Sequence, residues 1–89
     1  MANFLLIRHK VKDFKSWKRG YDAHRPSRAA AGLTQKSLLR SVADPNEVVV
    51  LFAAKDLRKA RAFVASDDLR EAMQRVGVVD VPNIYFLKG

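Results

Sequence analysis

Val48-Val49-Val50-Leu51-Phe52-Ala53-Ala54 is an apolar run with no polar member, set between the turn residues Asp44-Pro45-Asn46 and the helix-opening Asp56. Its length and β-branched content predict a strand. Successive strand side chains point to opposite faces, so this strand is apolar above and below and needs cover on both sides. The chain has 89 residues, enough for one core and too few for two. It has no cysteine, which excludes a disulfide framework, a thiolate metal site and a cysteine nucleophile. Oligomerisation is the remaining way to supplement a core this small.

The rest of the chain organises around that strand. Phe4 to Val11 reads as a first strand, with Phe4 and Leu6 on one face and Leu5, Ile7, His9 and Val11 on the other. Asp13 is a good N-cap, and Phe14, Trp17, Tyr21 and His24 follow on one helical stripe. Pro26 is expected to break or kink this helix and to bias Arg25 away from helical dihedrals, with a further turn over residues 27–31 closing at Gly32. Leu33 to Val42 is a polar strand. Asp56 caps a helix with Leu57, Ala60, Phe63 and Val64 inward, Ser66 caps again, and Leu69, Ala72, Met73 and Val76 carry the stripe to Gly77. Residues 78–83 read as a connector before the last strand, Ile84 to Leu87.

The order βαββαβ predicts one ferredoxin-like α+β domain over residues 1–89, with an antiparallel sheet ordered 4-1-3-2 and the helices on one face. The polar second strand falls at an edge, where a strand meets water. Strands one, three and four are apolar on both faces, and the helices cover only one. We therefore expect a sheet-to-sheet homodimer, in which a two-fold axis pairs the bare face with its own copy.

Several segments resemble the dimeric α+β barrel superfamily, which holds antibiotic-biosynthesis monooxygenases, aromatic polyketide cyclases, stress-responsive barrel proteins and haem-degrading monooxygenases. They are Arg8-His9-Lys10-Val11-Lys12-Asp13 followed by Trp17, Ala31-Gly32-Leu33, Asp44-Pro45-Asn46-Glu47-Val48, and Ser66-Asp67-Asp68-Leu69-Arg70-Glu71-Ala72-Met73. The resemblance covers nearly the whole chain and marks the fold, without a catalytic signature. It implies a small-molecule pocket between sheet and helices, lined by His9, Trp17, Tyr21, His24 and Tyr85. His9 would be a partly buried general acid or base for enolisation or aldol closure. Arg8, Lys10 and Arg40 would hold a carboxylate or enolate oxygen. The competing reading makes His9 a core histidine bonded to a neighbour, the aromatics ordinary packing, and His24 a cap. The axial histidine expected on the second helix of haem-degrading relatives has no counterpart here, so no cofactor is expected. The two histidines lack a metal-ligand spacing and an acidic cluster, so no metal is expected either.

The formal charge is +8, and residues 1–43 contain ten Lys/Arg against Asp13 and Asp22, whereas the remainder carries seven of each sign. That asymmetry suits an anionic small molecule or an acidic carrier protein, or else a solvated surface that keeps a dimer soluble. A basic ferredoxin-like domain also raises RNA binding, but Val48 to Ala54 has one aromatic and no RNA-recognition octamer. The function expected is thus a cofactor-independent cyclase or monooxygenase for an aromatic or polyketide-like anion. The alternatives are a non-catalytic ligand-sensing or dimerisation domain, or a basic RNA-binding domain. The N-terminal apolar run is too short for a secretory signal and nothing approaches a membrane span, which predicts a cytoplasmic protein.

Overall fold

A computed structural model describes residues 2–89. Its elements are β1 (Asn3–Lys10), α1 (Phe14–Ala23), α2 (Arg25–Ala30), β2 (Leu33–Arg40), β3 (Glu47–Ala54), α3 (Leu57–Val64), α4 (Asp67–Arg75) and β4 (Asn83–Lys88). The strands form one sheet in the order β2-β3-β1-β4, the predicted order read from the other edge, with every neighbouring pair antiparallel.

Local chemistry explains where the helices start. Asp13 accepts from the Ser16 N–H, Asp56 from those of Arg58 and Lys59, and Ser66 from that of Leu69, so each side chain satisfies donors that the first turn leaves unpaired. Gly32 and Gly77 have φ of 74° and 82°, the left-handed conformation that lets the chain turn sharply after α2 and α4. The first helix does end just ahead of Pro26, as expected, but a second helix starts at once. His24 closes α1 and opens α2, so Arg25 and Pro26 occupy the first turn of a new helix, where a missing N–H costs nothing. Arg25 is therefore helical, contrary to the expectation from its position before proline.

β3 alternates as expected of a strand between two layers. Val48, Val50, Phe52 and Ala54 are buried, whereas Val49, Leu51 and Ala53 are half-buried. The buried set joins Leu5, Ile7 and Val11 of the β1 segment, the inward residues of α1, α3 and α4, and Ala31 just after α2 in one core. Phe4, Leu6, Val49, Leu51, Tyr85 and Leu87 occupy the opposite face, which no helix covers. Tyr85 there is 52% exposed.

The edges differ from each other. β2 carries a register shift between Gln35 and Ser37, with Lys36 as the extra residue. It ends at Arg40, two residues before the predicted Val42, because Ser41 turns toward Asp44 and its hydroxyl accepts from the N–H of Ala43 and Asp44. The segment after α4 is more than a connector: Val78 bridges to Val11, and the Val79 N–H donates to the Lys10 carbonyl at 2.9 Å. Among the described residues no helix is long and apolar enough to cross a membrane.

Candidate functional site

The β1 alternation that buries Leu5 and Ile7 also carries His9 inward, beneath α1. His9 is 4% exposed and meets Trp17 edge to face, with centroids 5.6 Å apart. Neither imidazole nitrogen has a hydrogen-bond partner in the protein. Burial without a partner disfavours the charged ring and pushes its pKa from the ordinary 6.5 down to about 4; to smaller extents Asp80 raises it and Arg8 lowers it further. His9 is thus a neutral base at pH 7. The expectation of a core histidine bonded to a neighbour is not met.

Trp17 and Tyr21, one helical turn apart on α1, stack with centroids 4.7 Å apart. The Tyr21 hydroxyl donates to Gln35 Oε1 at 2.8 Å, and burial raises its pKa, so the phenol stays protonated at neutral pH. His24 lies at the α1–α2 junction with Nε2 2.9 Å from Asp68 Oδ2, tying that junction to the first turn of α4. The hydrogen bond to His24 holds the Asp68 carboxyl below its usual range.

These four residues border one cavity, closed by Val50 and Phe52 of the sheet and by Phe63, Leu69 and Met73 of α3 and α4. Its volume is about 50 Å³. That is room for a few water molecules, against roughly 300–1,000 Å³ for typical ligand pockets. A ring-bearing ligand exceeds this volume, so seating one would require the lining side chains to move. At Gly20 α1 lies tight against the end of α4: a Cβ there would lie 2.0 Å from Val76 Cγ1.

The structure separates the other expected site residues from this cavity. Tyr85 pairs with Leu6 in the sheet and so faces away from His9. Its neighbours Ile84 and Phe86 are the ones that pack against the core. Arg8 also points to the uncovered face, where its guanidinium binds Glu47 at 2.7 Å and Asp80 at 2.9 Å. Lys10 is on that face too, with Nζ 3.9 Å from Asp44. Arg40 lies at the edge, over the Phe14 ring at 3.9 Å, with Nε donating to the Pro45 carbonyl at 2.8 Å. None of these three cations borders the cavity.

The cation that does is Arg28. It is 8% exposed, its Nη1 donates to the Tyr21 carbonyl at 2.6 Å, and its Cζ lies 3.7 Å above the Tyr21 ring. The sequence held a signal for it: Phe14, Trp17, Tyr21, His24 and Arg28 continue one stripe at spacings of three and four. Treating Pro26 as a break ends that stripe one turn early. Among the described residues no group of three His, Asp or Glu side chains is arranged to hold a metal ion.

No family model matches the sequence, and no curated protein matches it. Solved structures do match. A candidate antibiotic biosynthesis monooxygenase from Bordetella bronchiseptica aligns with a TM-score of 0.77 at 18% identity, over 100% of this chain and 98% of that one. SnoaB, a cofactor-independent oxygenase from Streptomyces nogalater, aligns with a TM-score of 0.76 at 13% identity, over 99% and 92%. A further candidate monooxygenase of this kind, from Nitrosomonas europaea, gives 0.73 at 17% identity, over 99% and 89%. The fold is the one these proteins share. The resemblance read from the sequence therefore holds at the level of architecture, and identities this low carry no residue roles with them.

Proposed function

We propose that the protein is a cofactor-independent cyclase or monooxygenase for an aromatic or polyketide-like anion, with His9 as general base and a sheet-to-sheet homodimer as the working form. One observation carries the catalytic reading. His9 is a buried, neutral imidazole with both nitrogens unpaired by protein, at the wall of an apolar cavity. Such a group is costly to a fold, since a buried polar atom without a partner loses its solvation for nothing. A ligand that supplies the partner explains its presence.

The chemistry that suits it is proton abstraction. A methylene whose anion is delocalised onto a carbonyl oxygen, either directly or through an aryl ring, gives its proton to an imidazole nitrogen, and the electron pair remains as an enolate. The enolate's negative charge beside the ring favours imidazolium, so the transfer raises the low basicity that burial imposes. In a cyclase the enolate carbon then attacks a second carbonyl of the same molecule, and the proton passes from His9 to the new alkoxide. In an oxygenase the enolate is oxidised by molecular oxygen, one oxygen atom entering the product and the other leaving as water. Trp17 and Tyr21 supply the flat apolar wall for such rings.

The uncovered sheet face supports the dimer. Leu39 and Tyr85 are 58% and 52% exposed, and Leu6, Val49 and Leu51 lie half-buried between them. A contiguous patch of this kind marks an interaction surface in a soluble protein. The test of function is aerobic incubation with an anthrone, following oxygen uptake and product mass, alongside a linear poly-β-ketone under nitrogen for cyclisation. Turnover that falls by about 10²–10⁴ in His9→Leu is expected for loss of a general base. Failure of both substrates to turn over, with ligand binding intact, would replace the enzyme with a ligand-binding domain.

A further inference from the structure

A buried guanidinium keeps its charge, because arginine does not deprotonate in proteins, and it is stable only when that charge is answered. Arg28 has no carboxylate within ion-pair distance among the described residues, and the Tyr21 carbonyl is its one hydrogen-bond acceptor there. It forms part of the wall between the His9 cavity and a second, outer depression along α1, α2 and the start of β2. In that depression Asp22 is already engaged by Lys18 at 2.7 Å, and Arg25 likewise has no carboxylate partner among the described residues. An anion approaching along this route meets two arginines without a carboxylate partner among the described residues and one neutralised acid.

We propose that Arg28 is the anion anchor of the site: it binds a carboxylate or phenolate at the outer end of a flat ligand whose ring system lies along Tyr21 and Trp17 toward His9. The arrangement is polar at both ends and aromatic between, through successive contacts of 3.7 Å from Arg28 to Tyr21, 4.7 Å from Tyr21 to Trp17 and 5.6 Å from Trp17 to His9. A planar fork suits an oxygen pair presented edge-on, which a lysine point charge does not match. This rests on the small-molecule reading given above and replaces Arg8, Lys10 and Arg40 as the source of positive charge. The ligand class it selects is an aromatic acid, or an enolised polyketide with a free carboxylate, in preference to a neutral ring.

Binding of 2-naphthoate and of its neutral counterpart 2-naphthamide, measured by calorimetry, tests this. Trp17 is the sole tryptophan, so its emission reports occupancy of the cavity independently. Wild type is expected to favour the acid by at least about tenfold, the worth of one charge-assisted contact. Arg28→Gln should remove the preference while leaving the amide affinity unchanged, and Arg28→Lys should restore part of it and serve where the glutamine variant folds poorly, as read by circular dichroism. Equal loss of both ligands in folded variants would make Arg28 a packing residue, and an unchanged acid preference would place the anchor elsewhere. Either result overturns the anchor alone. If wild type binds neither compound by either readout, the small-molecule reading falls and the anchor with it.

Discussion

Replacing His9 by leucine should make the protein more stable, not less, and the gain should grow as the pH falls. The imidazole is 4% exposed with both nitrogens unpaired by protein, so a side chain of similar size without polar atoms removes a desolvation penalty of about 1–3 kcal/mol at pH 7. The pH dependence follows from the depressed pKa. Unfolded His9 titrates near 6.5 and folded His9 near 4, so between these values the unfolded chain holds the extra proton and stability drops as the pH falls. The gap corresponds to about 3 kcal/mol once the pH is below 4, of which about 2 kcal/mol is lost between pH 7 and pH 4.5. Asp13 and Asp68 lie below their usual range, held by hydrogen bonds from Ser16 and His24 respectively, and also lose their contributions in acid. Both proteins share those losses, which cancel in the comparison. Urea unfolding of wild type and His9→Leu at pH 7 and 4.5 gives the difference directly. Parallel pH dependence in the two proteins would refute a buried, neutral His9, whatever the sign of the change at pH 7.

Other perturbations report on separate parts of the structure. Gly20→Ala drives a methyl into Val76 and should cost about 1–3 kcal/mol, lowering Tm by roughly 4–8 °C per kcal/mol; a melting scan checks it. Tyr21→Phe removes the donor to Gln35 while keeping the stack on Trp17, for a loss of about 1 kcal/mol in urea unfolding. Leu51→Lys places a charge in the middle of the uncovered sheet face and should turn the expected dimer into a monomer, read by light scattering behind a sizing column. A wild type that already elutes as a monomer would remove the basis for the dimer.

The elements were legible where one residue type decides a backbone need. Asp13, Asp56 and Ser66 cap the helices they were expected to cap, and Gly32 and Gly77 take the positive φ that ends α2 and α4. The βαββαβ order predicts the sheet order, and the apolar β1 and β3 at its centre with the polar β2 at an edge agree with it. The site was less legible, for two physical reasons. In β4, Ile84 and Phe86 are about as apolar as Tyr85 and Leu87, so alternation alone does not say which pair meets the helices. For that reason the sequence points Tyr85 to the cavity, whereas it lies on the uncovered face with Leu6. In β1 the period of two does separate Arg8 and Lys10 from His9, and the expectation that they share one pocket set that period aside. Arg28 was missed because its burial depends on a helix restarting through Pro26, which is a matter of where the backbone turns at His24.

The unequal edges of the sheet give it a polarity. At β2 the extra residue Lys36 breaks the even ladder and adds a charge, so another strand finds no continuous set of donors and acceptors to join. At β4 the backbone runs without such an interruption, with Tyr85 and Leu87 beside it. The two edges therefore offer an added strand different ladders. An extended segment laid against β2 meets the register shift at Lys36, whereas one laid against β4 meets an even run of donors and acceptors, and a lysine introduced along β4 is the change that would make the two ends more alike.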